Sequence, residues 1–242
     1  MEKFLVKLAG LVIQVSCQFL TTKYLCQDYL TTELPFDFEV TVTLADLNFE
    51  KQRATLPFES VSEEYLEELA LYRLICEQLP SYNRFLFHGS CLVKDDQAYL
   101  FTGPSGTGKS THTRLWKEYF GEDTVRILND DKPLIHVDKE QIIVYGTPWD
   151  GKHHYSYNGH SRLSGICFLH QAEEVAIARL SQKDSFGYLM GQTYHPLLSE
   201  QKVIQALALV EQVSRRVETY SMDCDISFEA VICAYTHMKK EK

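Results

Sequence analysis

Apolar and polar residues alternate through much of the first third of the chain. From Phe4 to about Leu30, and again from Phe36 to Leu47, Val, Leu, Phe and Thr recur with a period of two, as in FEVTVTLAD, which predicts antiparallel strands. Ser62-Glu63-Glu64 then opens a run in which Tyr65, Leu66, Leu69, Leu71, Tyr72, Ile75 and Cys76 fall at near-helical spacing before Leu79-Pro80. One amphipathic helix fits there. The expectation is a β-rich N-terminal lobe over residues 1–82, continuous with the sheet of a core over residues 83–242.

That core opens with two apolar runs, Arg84 to Lys94 and Ala98 to Thr102, joined through Asp95-Asp96-Gln97 closely enough for a hairpin. The second run leads straight into a glycine-rich loop. After it, Thr111 to Phe120 has helical spacing with Gly121 as its cap, and Val125 to Leu128 is a short buried strand ending in Asn129-Asp130-Asp131. Further strands are expected at Pro133–Val137, Gln141–Tyr145, Leu163–His170 and Val217–Cys224. Helices are expected at Ser199–Arg215 and, with Ser227 as N-cap and Glu229 in the first turn, at Ser227–Lys239.

Composition narrows the classes of function. The 242 residues are 45% hydrophobic and 24% charged, enough for a sizeable core and without a signal of disorder. A formal net charge of −9 lacks the basic footprint that nucleic acid or an anionic membrane favours, so neither is expected as a partner. Seven scattered cysteines include no C-x-x-C pair and are expected as reduced, mostly buried thiols. Gln14, Ser16 and Gln18 break the apolar N-terminus into alternation, and no run reaches the ~18 apolar residues of a membrane span, so a cytoplasmic location is expected.

Residues 103–110, Gly-Pro-Ser-Gly-Thr-Gly-Lys-Ser, match the phosphate-loop pattern G-x-x-x-x-G-K-[ST] between a strand and a helix. Glycines at Gly103, Gly106 and Gly108 let successive backbone N–H groups of the loop, those of Ser105 and Thr107 among them but not Pro104, which has none, turn toward an anion, and the following helix adds its positive end from Thr111 onward. Lys109 is expected across the β- and γ-phosphates of ATP. The Ser110 hydroxyl is expected on Mg2+, a hard cation that prefers oxygen. Asp130-Asp131, at the end of the next apolar strand, would bring carboxylates to the same edge of the sheet, one to hold the metal and one to accept a hydroxyl proton; a merely solvated turn is the bland alternative.

Beyond the acids, Gly146 to His160 is rich in Gly, aromatic and basic residues. It reads as a segment closing over a ligand, with Lys152 reaching the γ-phosphate and Trp149 forming a wall, or as an ordinary surface loop. A zinc site from its histidines is a third reading, weakened by the lack of an i, i+4 pair or a cysteine pair.

His88-Gly89 on a strand, a short hairpin, GPSGTGKS, a helix and an apolar strand ending in a double Asp resemble the catalytic half of HPr kinase/phosphorylase, and more loosely ATP-dependent phosphoenolpyruvate carboxykinase. The last strand and helix are similar to the end of short HPr-kinase-related proteins, among them lasso-peptide kinases and free-serine kinases. The resemblance runs from Phe85 to the end. It implies an α/β fold with a P-loop, a mixed sheet flanked by helices, and a β-rich N-terminal addition. It also implies an ATP- and Mg2+-dependent kinase, with GTP an alternative donor, acting on a serine of a peptide or protein or on a small hydroxyl compound such as free serine. Asp130 or Asp131 would be the base, His88 its partner, and a homo-oligomer the assembly. The glycine/arginine segment that follows the catalytic half of HPr kinase is missing, so HPr itself is not carried over as the acceptor. A nucleotide-binding protein that regulates or recognises for a partner enzyme, without transferring phosphate, is the alternative function.

Overall fold

The computed structural model describes residues 1–53 and 61–240 of the chain. It separates into two compact units, Met1–Leu79 and Pro80–Lys242.

In the first unit, β1 (Glu2–Leu8) and β2 (Leu11–Cys17) form an antiparallel hairpin, with β3 (Leu30–Thr31) beside β1 and β4 (Phe38–Thr41) beside β2. The order is β3-β1-β2-β4, a four-stranded sheet of its own. Three expectations change here. These strands pair among themselves instead of extending the other sheet, β4 runs parallel to β2, and two stretches read as strand are helical: α1 (Leu20–Leu25) and, over Leu44–Leu47, the first turn of α2 (Leu44–Arg53). The physical reason for α1 lies far away in sequence. The buried Glu67 carboxylate accepts hydrogen bonds from the backbone N–H of Gln18 (2.6 Å) and Phe19 (2.9 Å) and from the Thr22 hydroxyl (2.7 Å), supplying the acceptors that the start of a helix needs. Glu67 sits on α3 (Glu63–Gln78), the expected amphipathic helix, whose N-cap Ser62 accepts from the Tyr65 N–H. Arg73 of α3 pairs with Asp46 (2.9 Å) and Glu50 (2.5 Å) of α2.

The second unit is a mixed α/β layer built on a nine-stranded sheet. Its main path is β5 (Arg84–Leu86), β9 (Leu134–Val137), β10 (Ile142–Tyr145), β11 (His160–Gln171), β7 (Gln97–Thr102), β6 (Ser90–Lys94) and β8 (Val125–Asn129), while β13 (Glu218–Cys224) pairs with β11 and β12 (Ala176–Arg179) with β13. The expected hairpin is β6–β7. Asp95 and Asp96 take positive φ values of 52° and 61°, the conformation that a two-residue hairpin loop matching the strand twist requires. The run expected as one strand from Arg84 to Lys94 breaks at His88-Gly89, since β5 pairs with β9 and β6 with β7.

Alternate residues of the central strands feed two cores, as strands covered on both faces demand. Ala98 and Leu100 pack with Ile166, Phe168, Leu209, Val210 and Val213 toward α5 (Gln182–Met190) and α6 (Glu200–Arg216). Tyr99 and Phe101 pack with Trp116, Cys167, Met222, Ala230 and Val231 toward α4 (Lys109–Phe120) and α7 (Phe228–Met238). The capping residues read from the sequence hold, Ser227 accepting from the Ala230 N–H and Gly121 ending α4 at φ 96°, and Ser199 caps α6 by accepting from the Lys202 N–H. Six of the seven cysteines are buried and Cys233 is half-buried. Among the described residues no helix is long and apolar enough to cross a membrane.

Strand direction decides what meets at one edge. β11 and β13 run parallel to β7; β6 is antiparallel to β7, and β8 is antiparallel to β6, so β8 runs with β7. The C-terminal ends of β7, β8, β11 and β13, and the start of β6, therefore share an edge. Loop and acids meet at one sheet edge, as expected, with the antiparallel strand β6 between β7 and β8.

Candidate functional site

Loop 103–110 leaves β7 at Thr102, whose hydroxyl donates to the His88 carbonyl (2.7 Å) and ties the loop's root to the start of β6. Gly103, Gly106 and Gly108 have φ of 144°, 84° and 93°, values that L side chains rarely adopt. A Cβ on Gly103 would also lie 3.0 Å from the Leu169 carbonyl. Thr107 closes the loop by donating from its hydroxyl to the Pro104 carbonyl (2.9 Å). Lys109 is buried, and its ammonium donates to the carbonyls of Gly103 (3.0 Å) and Pro104 (3.1 Å). Burial pushes that ammonium below the ordinary lysine value, against the opposing pull of the Asp131 carboxylate.

The two aspartates differ in environment. Asp130 is 3% exposed; one carboxylate oxygen accepts from the Gly151 N–H (2.6 Å), and the other, Oδ2, is buried without a hydrogen-bond partner. Burial, reinforced by the charges of Asp150 and Asp131, holds its carboxyl above the ordinary range even though the Gly151 bond pulls the other way. Asp131 lies 3.4 Å from His88 Nε2 through Oδ1 and 3.0 Å from Lys132 Nζ through Oδ2. Its burial disfavours the charge, but the His88 bond and the Lys132 ammonium outweigh that and hold it down at about 2. His88 is fixed at its other nitrogen by the Gln192 side-chain oxygen (3.1 Å), and its backbone N–H donates to the Gln192 carbonyl (2.7 Å).

Asn129, fully buried, sets the turn. Its Nδ2 donates toward Thr147 O (3.1 Å), Thr147 Oγ1 (3.0 Å) and Trp149 O (3.2 Å), and its Oδ1 accepts from the N–H groups of Asp131 (2.9 Å) and Lys132 (2.6 Å). The segment after β10 is held by the same strand end: Asp130 N–H donates to Tyr155 O, and Tyr157 N–H to Leu128 O. It stands as a pinned wall. Trp149 is buried and lies outside the cleft lining, so the expected wall is formed by Gly151, Lys152 and His153. Its histidines part company: His153 stacks on Tyr155, His154 pairs with Asp150, and His160 stacks on Tyr145. Among the described residues no group of three or more His, Cys, Asp or Glu is placed to hold a metal ion, which removes the zinc reading.

These groups converge on one cleft of about 440 Å³. His88, Ser105, Gly106, Gly108, Lys109, Ser110, Thr111, Asp130, Asp131 and Lys152 line it, while Gly103, Pro104 and Thr107 shape the loop from behind. Asn129, Lys132, Thr147, Gly151 and Gln192 belong to the arrangement and were not singled out from the sequence. An Asn directly before the Asp pair carried a signal, since Asx side chains bond backbone two residues on. Gln192, in a stretch without a pattern, carried none.

No family model matches the sequence. No curated protein matches it either. Among solved structures, the chain is similar to the Hpr(Ser) kinase/phosphatase from Coxiella burnetii at 12% identity, over 62% of this chain and 91% of that one, with a TM-score of 0.34. A likeness that loose carries no argument about function.

Proposed function

We propose that the chain is a Mg2+-dependent kinase that transfers the γ-phosphoryl group of ATP to a hydroxyl, on a serine of a peptide or protein or on a small molecule. The observation that carries this reading is the convergence of loop 103–110, Lys109, Ser110, both aspartates and His88 on one cleft. Backbone N–H groups of the loop and the start of α4 bind the phosphates, and Lys109, released from the Gly103 and Pro104 carbonyls, clamps them. The buried, unpartnered Oδ2 of Asp130 and the Ser110 hydroxyl are hard oxygen ligands suited to Mg2+, and a cation there would relieve the uncompensated carboxylate. Bound Mg2+ supplies charge neutralisation for the phosphates.

Asp131, ionised at physiological pH, is the base: it takes the hydroxyl proton as the acceptor oxygen bonds to the γ-phosphorus and the bond to the β-phosphate oxygen breaks, leaving ADP. His88, held by Gln192, orients it. Lys152 at the rim adds positive charge. The test is ATP binding against transfer in two variants. Lys109→Ala should weaken ATP binding at least tenfold, while Asp131→Asn should bind within about threefold of wild type and lose transfer about a hundredfold or more. Equal loss of binding in both would sink the assignment of Asp131, and tight ATP binding with no acceptor turned over would favour a nucleotide-binding regulator.

A further inference from the structure

A cleft of about 610 Å³ lies where β13 begins, at the edge of the sheet opposite the phosphate loop. It shares no residue with the cleft that holds Asp130 and Asp131. Four cationic side chains line it, and they come from three places in the fold: Arg179 at the end of β12, Arg215 and Arg216 at the end of α6, and Lys240 beyond α7. Among the described lining residues only Glu218 is acidic, in a chain whose formal net charge is −9.

These cations are held loosely enough to serve a ligand. Arg179 pairs with Glu218 (2.9 Å) and Arg215 with Glu211 (2.6 Å), but both guanidinium side chains are well exposed, at 66% and 60%, and exposed ion pairs are weak. The Glu218 carboxylate also accepts from the Tyr220 hydroxyl (2.8 Å). Arg216 is half-buried and fixed, donating to the carbonyls of Asp138 (2.6 Å) and Lys139 (3.3 Å). Lys240 is anchored by its backbone, which bonds both polar atoms of the Gln97 side chain (3.1 and 3.3 Å), while the residue itself is exposed. Thr219 is 2% exposed. Its hydroxyl accepts from Ser185 (2.8 Å), and the acceptor for its own proton, the Val217 carbonyl, is 3.5 Å away, the outer limit of a hydrogen bond. Arg215 and Arg216 would complement the dipole of α6 in any case, but Arg179 and Lys240 belong to other elements and have no such reason to be there.

We propose that this cleft binds a small polyanion, a molecule carrying two or more phosphate or carboxylate groups. The inference goes beyond the kinase reading and does not depend on it. Like charges gathered in one concavity repel each other until an anion enters, and guanidinium forks match the paired oxygens of carboxylate and phosphate. Because the cations arrive from three elements, a ligand with charged groups on more than one side meets more of them than a single anionic group does. The buried Thr219 hydroxyl adds a neutral donor, and the volume is that of a small-molecule site.

The experiment is calorimetric titration of the full chain with citrate and with inorganic pyrophosphate, without Mg2+ and at constant ionic strength. Wild type should bind citrate one to one. The double variant Arg179→Ala/Lys240→Ala, at two exposed positions, should weaken citrate at least tenfold while melting within about 2 °C of wild type. Lys3→Ala/Lys7→Ala, which removes two exposed charges on β1, and Lys109→Ala, which removes the phosphate clamp, should each leave citrate affinity within twofold. In the Lys109→Ala protein, pyrophosphate displacing citrate at lower concentration would assign phosphates as the ligand's charged groups, and at higher concentration carboxylates. Wild type that binds neither anion, or citrate weakened as much by Lys3→Ala/Lys7→Ala as by Arg179→Ala/Lys240→Ala, would overturn the site. Both anions lost on Lys109→Ala would place them at loop 103–110, overturning this site and leaving the kinase reading standing.

Discussion

Replacing Asn129 with alanine should damage stability and catalysis together, because one buried amide holds both acids in place. Its Oδ1 is the acceptor for the N–H groups of Asp131 and Lys132, and its Nδ2 reaches three acceptors on Thr147 and Trp149. Truncation leaves two backbone donors in the turn unpaired, at about 1–3 kcal/mol each, so a loss of about 3–5 kcal/mol is expected. For a chain of this size that lowers the melting temperature by about 10 °C. With the turn loosened, a displacement of Asp131 of about 1 Å would reduce kcat about a hundredfold, while the loop still binds ATP within about threefold. Thermal denaturation and steady-state transfer from ATP measure the two effects. Asn129→Asp is the control: it keeps oxygens toward Asp131 and Lys132 but sets another oxygen against the Thr147 and Trp149 carbonyls and adds a third negative charge, so it should be comparably destabilised at neutral pH. Asn129→Ala melting within 2 °C of wild type with unchanged kinetics would refute the reasoning.

The aspartates should respond to pH in opposite directions. Asp130 has a raised folded pKa, so its charge costs stability that is fully felt above that pKa and vanishes below the ordinary carboxylate value of about 4. Without Mg2+, Asp130→Asn should therefore raise the melting temperature at pH 7, and the gain should fade on acidification. Asp131 has a depressed pKa of about 2, so it contributes stability that is present above about pH 4 and lost as pH falls through about 2; Asp131→Asn should lower the melting temperature at pH 7 and match wild type near pH 2. Gly151→Ala would place a Cβ 3.0 Å from Asp130 Oδ1, so it should weaken Mg2+ binding about tenfold while leaving Mg2+-free ATP binding within threefold, as titration of each ligand would show.

Legibility in the sequence followed the range of the interactions. The β6–β7 hairpin, α3, α4, α6 and α7 were readable because turn residues, caps and apolar spacing are local signals, and Ser227 and Gly121 cap where they were expected to. α1 was not, because Glu67, 45 positions beyond Thr22, supplies its acceptors. β12 and α5 lie in a stretch where alternation and helical spacing are too short to register. In the cleft, the loop and the Asp pair were legible as a motif and an adjacency. The roles of Asn129, Thr147 and Gln192 were not, since each acts through hydrogen bonds to residues 18, 15 and 104 positions away that only the folded sheet edge brings together.

The central claim is transfer of phosphate to a hydroxyl, and one assay addresses it directly: γ-labelled ATP with Mg2+, offered free serine and serine-containing peptides in parallel, with Asp131→Asn alongside. The account predicts label on one acceptor with wild type and a loss of about a hundredfold or more with Asp131→Asn. Label that stays on ATP with every acceptor while ATP is bound, or transfer that Asp131→Asn performs as well as wild type, would contradict it.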